Sequence, residues 1–256
     1  MCRLLGYLGP PLQLDRILLE PEHSLLVQSY QPKEMTAGLL NADGFGVGWF
    51  HTQKAGEAYT YRSTQAIWND LNLVSLSRYV ESPCILANVR SATPGLAVDL
   101  SNCQPFHQGN LLFVHNGYVE QFRKTLYRPL RNRLSDFAYQ TVQGITDSEH
   151  LFALFLDALS VKGDLLAALH QTIEELAHLS TACKTDFSAN FIVSDGQQMV
   201  ASRYASRTPC PTLYWQQQEE TVLIASEPFF EGCWQPFEPQ SWLCCDRSGR
   251  WEIGLF

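Results

Sequence analysis

Two apolar runs, Cys84–Arg90 and Asn110–His115, constrain the fold of this chain more than any other feature. Strands that are covered on both faces are apolar at successive positions, whereas half-exposed strands alternate between apolar and polar residues. Further strands are predicted before and after a helical stretch. This order of strands, helices and strands predicts an α+β fold in which two mostly antiparallel sheets pack together with helices outside them.

The remaining elements follow from local patterns, and no repeat or linker divides the chain, so residues 1–256 are predicted to form a single domain. Strands are predicted at Met1–Leu8, Phe45–His51, Ala58–Ser63, Ala189–Ser194, Met199–Tyr204, Thr212–Gln216 and Thr221–Ser226. Helices are predicted at Gln13–Leu19, Ala66–Val80, Gln121–Val142 with a break near Pro129, Ser148–Ser160 and Asp164–Ala182. Asn41-Ala42-Asp43-Gly44 is a turn signal.

The net charge limits the classes of molecule that the chain is expected to bind. The net charge of −8 opposes binding to nucleic acid and to anionic membrane surfaces, both of which attract basic proteins. No apolar run approaches the roughly 18 residues of a membrane-spanning helix. We expect a cytoplasmic protein whose eight cysteines are reduced, since no export signal is evident. No Cys-x-x-Cys pair or phosphate-binding motif is present, so neither a metal nor a cofactor is predicted.

Cys2 is the first residue that carries chemistry. A small second residue permits removal of Met1, which leaves Cys2 with a free α-amine of reference pKa about 7.7–8.0. Such an amine is able to take the proton of the thiol and so serve as the base for a nucleophile within the same residue. The alternative for this residue alone is a small side chain in an edge strand.

Asn116 and Gly117 follow the second apolar run. The side-chain amide of Asn116 and the backbone N–H of Gly117 together suit the oxyanion of a tetrahedral intermediate, and glycine allows close approach to its N–H. The alternative is a simple Asn-Gly turn that ends the strand.

Arg90 and Asp147 are the candidate binding charges. The guanidinium of Arg90, at the end of the first apolar run, suits bidentate binding of a carboxylate. Its alternatives are a structural salt bridge or a clamp on backbone carbonyls. Asp147 lies in Thr146-Asp147-Ser148-Glu149, which has the form of a helix capping box. Its carboxylate either complements the helix dipole or meets a substrate ammonium group.

Five motifs occur in a fixed order: Met1-Cys2-Arg3, Asp43-Gly44-Phe45-Gly46-Val47-Gly48-Trp49, Arg90-Ser91-Ala92-Thr93, His115-Asn116-Gly117 and Thr146-Asp147-Ser148-Glu149. Over residues 1–230 this series resembles the class II, N-terminal-cysteine glutamine amidotransferases of the N-terminal nucleophile hydrolase superfamily. The start of the chain and the glycine-rich strand resemble those of the γ-glutamyl amidohydrolases of ergothioneine biosynthesis. The chain departs from the family at Pro94, where many members have His.

The resemblance implies a four-layer αββα sandwich. It also implies roles for six residues: Cys2 as nucleophile, Asn116 and Gly117 as oxyanion hole, Arg90 for the glutamyl α-carboxylate, Asp147 for the α-ammonium, and Thr93 in an assisting position.

The sequence therefore predicts an enzyme that hydrolyses a γ-glutamyl amide through a thioester on Cys2. Its expected substrate is a small γ-glutamyl-cysteine-type conjugate such as the ergothioneine precursor, because only a glutaminase-sized domain is predicted. One alternative is a stand-alone glutaminase subunit that delivers ammonia to a separate synthase. Another is a non-catalytic glutamyl-binding homologue that keeps Met1. A homodimer is left open.

Overall fold

The computed structural model describes residues 2–35, 38–51, 56–92 and 98–256. Its strands are β1 Arg3–Gln13, β2 Phe45–Phe50, β3 Ala58–Ser63, β4 Glu81–Val89, β5 Phe106–Gln108, β6 Leu111–Val119, β7 Phe187–Ser194, β8 Gln198–Arg203, β9 Tyr214–Gln218, β10 Thr221–Ala225, β11 Gln235–Pro236, β12 Ser241–Asp246 and β13 Trp251–Leu255. Its α-helices are α1 Asp15–Leu18, α2 Leu25–Tyr30, α3 Leu71–Tyr79, α4 Tyr127–Arg131, α5 Asp136–Thr141, α6 Asp147–Lys162 and α7 Leu165–Cys183.

The strands form two antiparallel sheets. Across the described residues, the first sheet has the order β11-β9-β10-β1-β4-β2-β3 and the second the order β13-β12-β8-β7-β6-β5. The strands predicted from the two apolar runs, β4 and β6, lie in different sheets, and β4 pairs on both of its sides. No helix in the described ranges has the length and apolar character that crossing a membrane requires.

Three apolar cores separate four layers. One core packs α1, α2 and α3, with residues such as Leu25, on the first sheet. A second core, which includes Leu86, fills the space between the sheets. A third, which includes Phe155, packs α6 and α7 on the second sheet. The predicted αββα arrangement is therefore confirmed.

Residues of β1 alternate between two of these cores. Leu4 and Leu8 belong to the core between the sheets, whereas Leu5 and Tyr7 belong to the core beneath the helices. Both faces of the strand are covered, so side-chain direction follows from position along the chain. This alternation fixes which residues near the strand ends face the space between the sheets.

Glycines of β2 permit the close approach that the sequence predicted. A Cβ atom at Gly48 would lie 2.7 Å from Leu112 Cδ2 of the opposite sheet, and one at Gly46 would collide with the carbonyl oxygen of Gln104. The second sheet and its connecting segment thus rest directly on the backbone of β2.

Two predicted helices differ from the structure. The break expected near Pro129 falls after Arg131, because Pro129 occupies the first turn of α4, where a missing N–H costs no helical hydrogen bond. The helix expected over Ala66–Val80 divides at Asp70, whose carboxylate accepts the N–H groups of Asn72 and Leu73 and so begins α3.

We expect Gly46→Ala to lower the free energy of unfolding by about 1–3 kcal/mol, because the added methyl group overlaps a backbone atom that cannot move freely. Urea denaturation of the two proteins measures this difference. Gly232→Ala is the matched control, since its Cβ would meet the flexible end of the Gln216 side chain at 3.0 Å and Phe230 at an ordinary contact distance of 3.5 Å. Equal stability of the two variants would contradict the predicted contact.

Candidate active site

The start of β1 and the end of β4 meet in the middle of the first sheet. Arg3 pairs with Val89, so the antiparallel register sets Cys2 opposite Arg90 at the next position. Alternation along β1 and β4 assigns both residues to the side that faces the second sheet. Both also act on the thiol of Cys103, whose pKa is raised mainly by burial, with Arg90 lowering it and Cys2 raising it. Cys2 and Arg90 thus share one neighbourhood.

Asn116 reaches the same end from the opposite sheet. Leu112 lies against Gly48, and Gln104, which exchanges hydrogen bonds with the backbone of β6 at residue 115, lies against Gly46. The step from Gly48 to Gly46 follows β4 toward its end, because β2 and β4 are antiparallel. β6 therefore advances in the same direction as β4, and Asn116 lies at the end where β4 reaches Arg90.

Gly117 is part of a strand rather than a turn. β6 continues to Val119 and stays paired with β7, so the alternative of a strand-ending Asn-Gly turn is wrong. A Cβ atom at Gly117 would collide with the carbonyl oxygen of Ser188 and with His115 Nε2. Glycine is thus required here by close packing.

His115 supports this part of β6 from the helix side. Its Nε2 lies 3.0 Å from the carbonyl oxygen of Ser188 and its Nδ1 lies 2.9 Å from Ser148 Oγ. Because a carbonyl oxygen only accepts, Nε2 donates to Ser188, and in the neutral ring Nδ1 accepts the hydroxyl of Ser148. Burial lowers the pKa of His115, while the charge of Asp147 and the hydrogen bond to Ser188 oppose that shift.

Arg90 is held by the turn predicted at residues 41–44. One guanidinium nitrogen donates to the carbonyl of Asp43 at 3.2 Å, and the backbone N–H of Arg90 donates to Gly44. The Asp43 carboxylate in turn accepts the N–H of Ala92 at 2.8 Å. None of the ion pairs in the described part of the chain involves Arg90. The salt-bridge alternative is therefore wrong, whereas the contact with the Asp43 carbonyl agrees with the alternative of a clamp on a backbone carbonyl.

Asp147 lies at the same end of β6 but on the helix side of the second sheet. One carboxylate oxygen accepts the N–H of Val119 at 2.8 Å and the other that of Ser148 at 2.9 Å. Thr146 is the N-cap of α6, as predicted, but Glu149 accepts N–H groups from residues 143 and 144 instead of completing a capping box. Among these described residues, no direct contact joins Asp147 to Cys2, Arg90 or Asn116. Thr93 lies outside the described residues.

A buried ion pair that the sequence analysis missed fixes the start of β1. Arg3 is fully buried, and its Nε lies 3.4 Å from the carboxylate of Glu227. That carboxylate also binds His23 Nε2 at 2.8 Å and accepts the backbone N–H groups of Lys33 and Glu34 at 2.8 and 3.0 Å. Burial lowers the pKa of Arg3 and the negative charge of Glu227 opposes this. An arginine between apolar residues of a buried strand was the available signal.

Two amides between the sheets have no partner. Asn88 and Asn116 are fully buried, and neither the oxygen nor the nitrogen of either side chain has a hydrogen-bond partner in the described ranges. Asn190, which pairs with Asn116 across β6 and β7, differs because its Nδ2 donates to the carbonyls of Pro211 and Thr212. The end of the sandwich that holds Cys2 therefore contains unsatisfied hydrogen-bonding groups.

The structure also contains a cavity away from the predicted site residues that it describes. A cavity of about 390 Å³ is lined by residues including Arg62, His107 and Glu149, and by none of the predicted site residues that the structure describes. Ser101 also lines this cavity. Within the described ranges, no group of three His, Cys, Asp or Glu side chains is arranged to hold a metal ion.

Comparisons with known proteins found similarities of sequence and of fold. Residues 18–251 match the family described as glutamine amidotransferases class-II. The chain is 33% identical over 229 residues to a γ-glutamyl-hercynylcysteine sulfoxide hydrolase of Mycolicibacterium smegmatis, covering 90% of this chain and 88% of the relative. A glutamine aminotransferase class-II domain protein of Silicibacter pomeroyi is similar in structure over 99% of both chains, with 25% identity and a TM-score of 0.70. Glutamine phosphoribosylpyrophosphate amidotransferase of B. subtilis shares the fold, with 17% identity and a TM-score of 0.65 over 99% of this chain and 49% of that one.

We expect Glu227→Gln to lower the free energy of unfolding by about 3–5 kcal/mol, because it leaves the buried guanidinium of Arg3 without a counter-charge. Urea denaturation measures the loss. A double variant with Arg3→Met and Glu227→Gln should lose less than the two single losses added together. Glu20→Gln, which breaks an exposed pair with Arg16, should have little effect. Strict additivity of the double variant would show that the pair is not coupled.

Stability should fall as the pH falls below about 6.5, the ordinary pKa of histidine. Because burial lowers the pKa of His115 and of His150, the unfolded chain binds more protons than the folded one in this range. Urea denaturation at several pH values between 5.5 and 8 measures the slope. His115→Gln should be less stable at pH 8 but less sensitive to acid. A wild-type protein that gains stability on acidification would contradict this assignment.

Proposed function

The chain belongs to the class-II glutamine amidotransferase family, and we propose that it is a γ-glutamyl amide hydrolase with Cys2 as its nucleophile. One observation carries this proposal. Cys2, the buried Arg90 with no ion pair among the described residues, and the unpaired amide of Asn116 converge on one end of the space between the sheets. A thiol, a cation and an amide donor are the groups that acyl transfer from a glutamyl amide requires.

Acylation begins once removal of Met1 has freed the amine of Cys2. The thiol loses its proton to this amine, and the sulfur attacks the γ-carbonyl carbon of the substrate. The carbonyl oxygen becomes an oxyanion, which accepts hydrogen bonds from the Asn116 amide and the Gly117 N–H. Such donors stabilise the transition state more than the ground state, because negative charge develops on the oxygen during attack.

Collapse of the tetrahedral intermediate completes acylation, and deacylation then closes the cycle. The Cys2 ammonium gives its proton to the departing nitrogen as the C–N bond breaks, which leaves a glutamyl thioester and a free amine. The Cys2 amine then takes a proton from water as that water attacks the thioester carbonyl. When the C–S bond breaks, glutamate leaves and the thiol recovers its proton. Every proton moves through one residue, so no separate histidine base is required.

Recognition of the glutamyl group divides between two charges. Arg90 binds the α-carboxylate through the guanidinium nitrogens that the Asp43 carbonyl leaves available. Asp147 binds the α-ammonium group, with Thr93 assisting. Although Asp147 accepts two backbone N–H groups, a carboxylate offers about four acceptor positions, and Asp147 is only half-buried. The zwitterionic head of the substrate therefore bridges the inner and helix sides of β6.

The relatives favour a sulfur-containing substrate. The M. smegmatis relative is named for hydrolysis of γ-glutamyl-hercynylcysteine sulfoxide, and it matches this chain over nearly its whole length. We propose a γ-glutamyl-cysteine-type conjugate of this class as the substrate, placing the enzyme in ergothioneine biosynthesis. Ready hydrolysis of free glutamine, enhanced by an added synthase, would favour the ammonia-delivering alternative instead.

We expect Cys2→Ala to lower the release of glutamate from γ-glutamyl amides by at least about 10³-fold, because no other group replaces the attacking sulfur. Asn116→Ala should lower kcat by about 10²–10³-fold through the loss of one oxyanion donor. The assay offers a panel of γ-glutamyl amides to protein whose intact mass shows that Met1 is absent. Cys233→Ala, which removes an exposed free thiol, should retain full activity. Turnover that survives Cys2→Ala would disprove the mechanism.

A further inference from the structure

Asn88 is a polar residue inside an apolar layer. It lies on β4 between Leu4 of β1 and Gly46 of β2, and it is fully buried. Alternation along β4 turns it toward the second sheet, on the same side as Leu86 and Arg90. It thus lies two residues before Arg90, at the next inward-facing position, on the floor of the candidate active site.

The amide of Asn88 is not explained by the fold. Neither its oxygen nor its nitrogen finds a hydrogen-bond partner among the described residues. A buried amide without partners destabilises a protein, whereas an apolar side chain of similar shape does not. The neighbouring inner positions of β1 and β4, Leu4 and Leu86, are apolar. A purely structural requirement would be met better by leucine.

Not every buried amide in this layer lacks a hydrogen-bond partner. Asn190 is also fully buried on the inner side of the second sheet, but its Nδ2 has two carbonyl partners in the loop at residues 211–212. Asn116, the other unpaired asparagine at this end, is the proposed oxyanion donor. Within the layer between the sheets, the unsatisfied amides of the described residues therefore lie at the end that holds Cys2 and Arg90.

We propose that Asn88 is a further substrate-contacting residue, whose amide forms its hydrogen bonds with the polar groups of the bound γ-glutamyl amide. This inference rests on the proposed function, because it needs a γ-glutamyl compound in the same site. The side-chain amide offers one acceptor and two donor hydrogens, which complement the carbonyl and N–H of an amide substrate. The instability that Asn88 causes in the free protein is then offset when substrate binds.

The test uses two substitutions that act differently on space and polarity. Asn88→Leu keeps the approximate shape and removes the amide, whereas Asn88→Ala removes the amide and cannot obstruct the site. Both should lower kcat/KM for a γ-glutamyl amide by about 10- to 100-fold. The separate values of kcat and KM show whether the contact acts in the transition state or already in the bound substrate.

Thermal denaturation supplies a readout that does not depend on activity. Asn88→Leu should melt at or above the wild-type temperature, because it removes an unpaired buried amide. Asn190→Leu is the matched control and should melt several degrees lower, because it leaves two carbonyls without their donor. A loss of stability in Asn88→Leu as large as that in Asn190→Leu would overturn the inference, since it would show that the protein itself satisfies the amide.

Binding separates this inference from the proposed function. Isothermal titration of Cys2→Ala with L-glutamine and with a γ-glutamyl-cysteine conjugate measures affinity without turnover. Adding Asn88→Ala should weaken the binding of whichever amide is bound by about 10-fold or more. Equal affinity, wild-type kcat/KM in Asn88→Ala, or loss of activity confined to Asn88→Leu would overturn the inference alone. If Cys2→Ala binds neither amide, the proposed function fails together with it.

Discussion

The antiparallel pairing of β1 with β4 is the constraint on which the rest of the structure depends. It brings the first residues of the chain into the middle of a sheet, where β4 and β10 hold β1 on both edges. Because Arg3 pairs with Val89, the same antiparallel register sets Cys2 opposite Arg90 at the next position, so the two become neighbours without any loop between them. A nucleophile that uses its own amine needs a fixed chain start, and strand pairing supplies a rigid one.

Two arginines near this pairing show how position in a strand determines what a charge does. Arg3 faces the helices, and the carboxylate of Glu227 compensates its charge. The same carboxylate also forms hydrogen bonds with His23 and with two backbone N–H groups. Arg90 faces the second sheet, where no carboxylate among the described residues lies within ion-pair distance. One cation therefore holds the strand in place, and the other keeps its capacity to bind an anion. Alternation along two paired strands is sufficient to separate these roles.

Sequence reasoning predicted local features well. The apolar runs predicted β4 and β6, and period-two alternation explains why Leu112 and Val114 lead to an inward-facing Asn116. The glycines at Gly46 and Gly48 indicated close approach to a backbone, which the structure bears out.

Features that depend on distant parts of the chain were not predictable in the same way. Glu227 lies more than 200 residues from Arg3, and nothing in the local sequence around either residue names its partner. The same holds for the clamp of Asp43 on Arg90 and Ala92, since turn chemistry predicted the bend but not what it would hold. Which strands pair across a sheet depends on the topology of the whole fold. The patterns in a single sequence report mainly the local structure of each segment.

The change from apolar to amide side chains across the inter-sheet layer is the remaining argument for where the chemistry lies. Most of this layer is built from residues such as Leu8, Ile192 and Met199, which fill space without needing hydrogen bonds. At the end near Cys2 the inner positions become Asn88 and Asn116, whose polar atoms are buried and unpaired within the described chain. Selection for stability alone would not retain such groups, because each destabilises the folded protein. Their retention at one end, beside a thiol and an arginine with no ion-pair partner among the described residues, indicates that this end of the sandwich is built for a ligand.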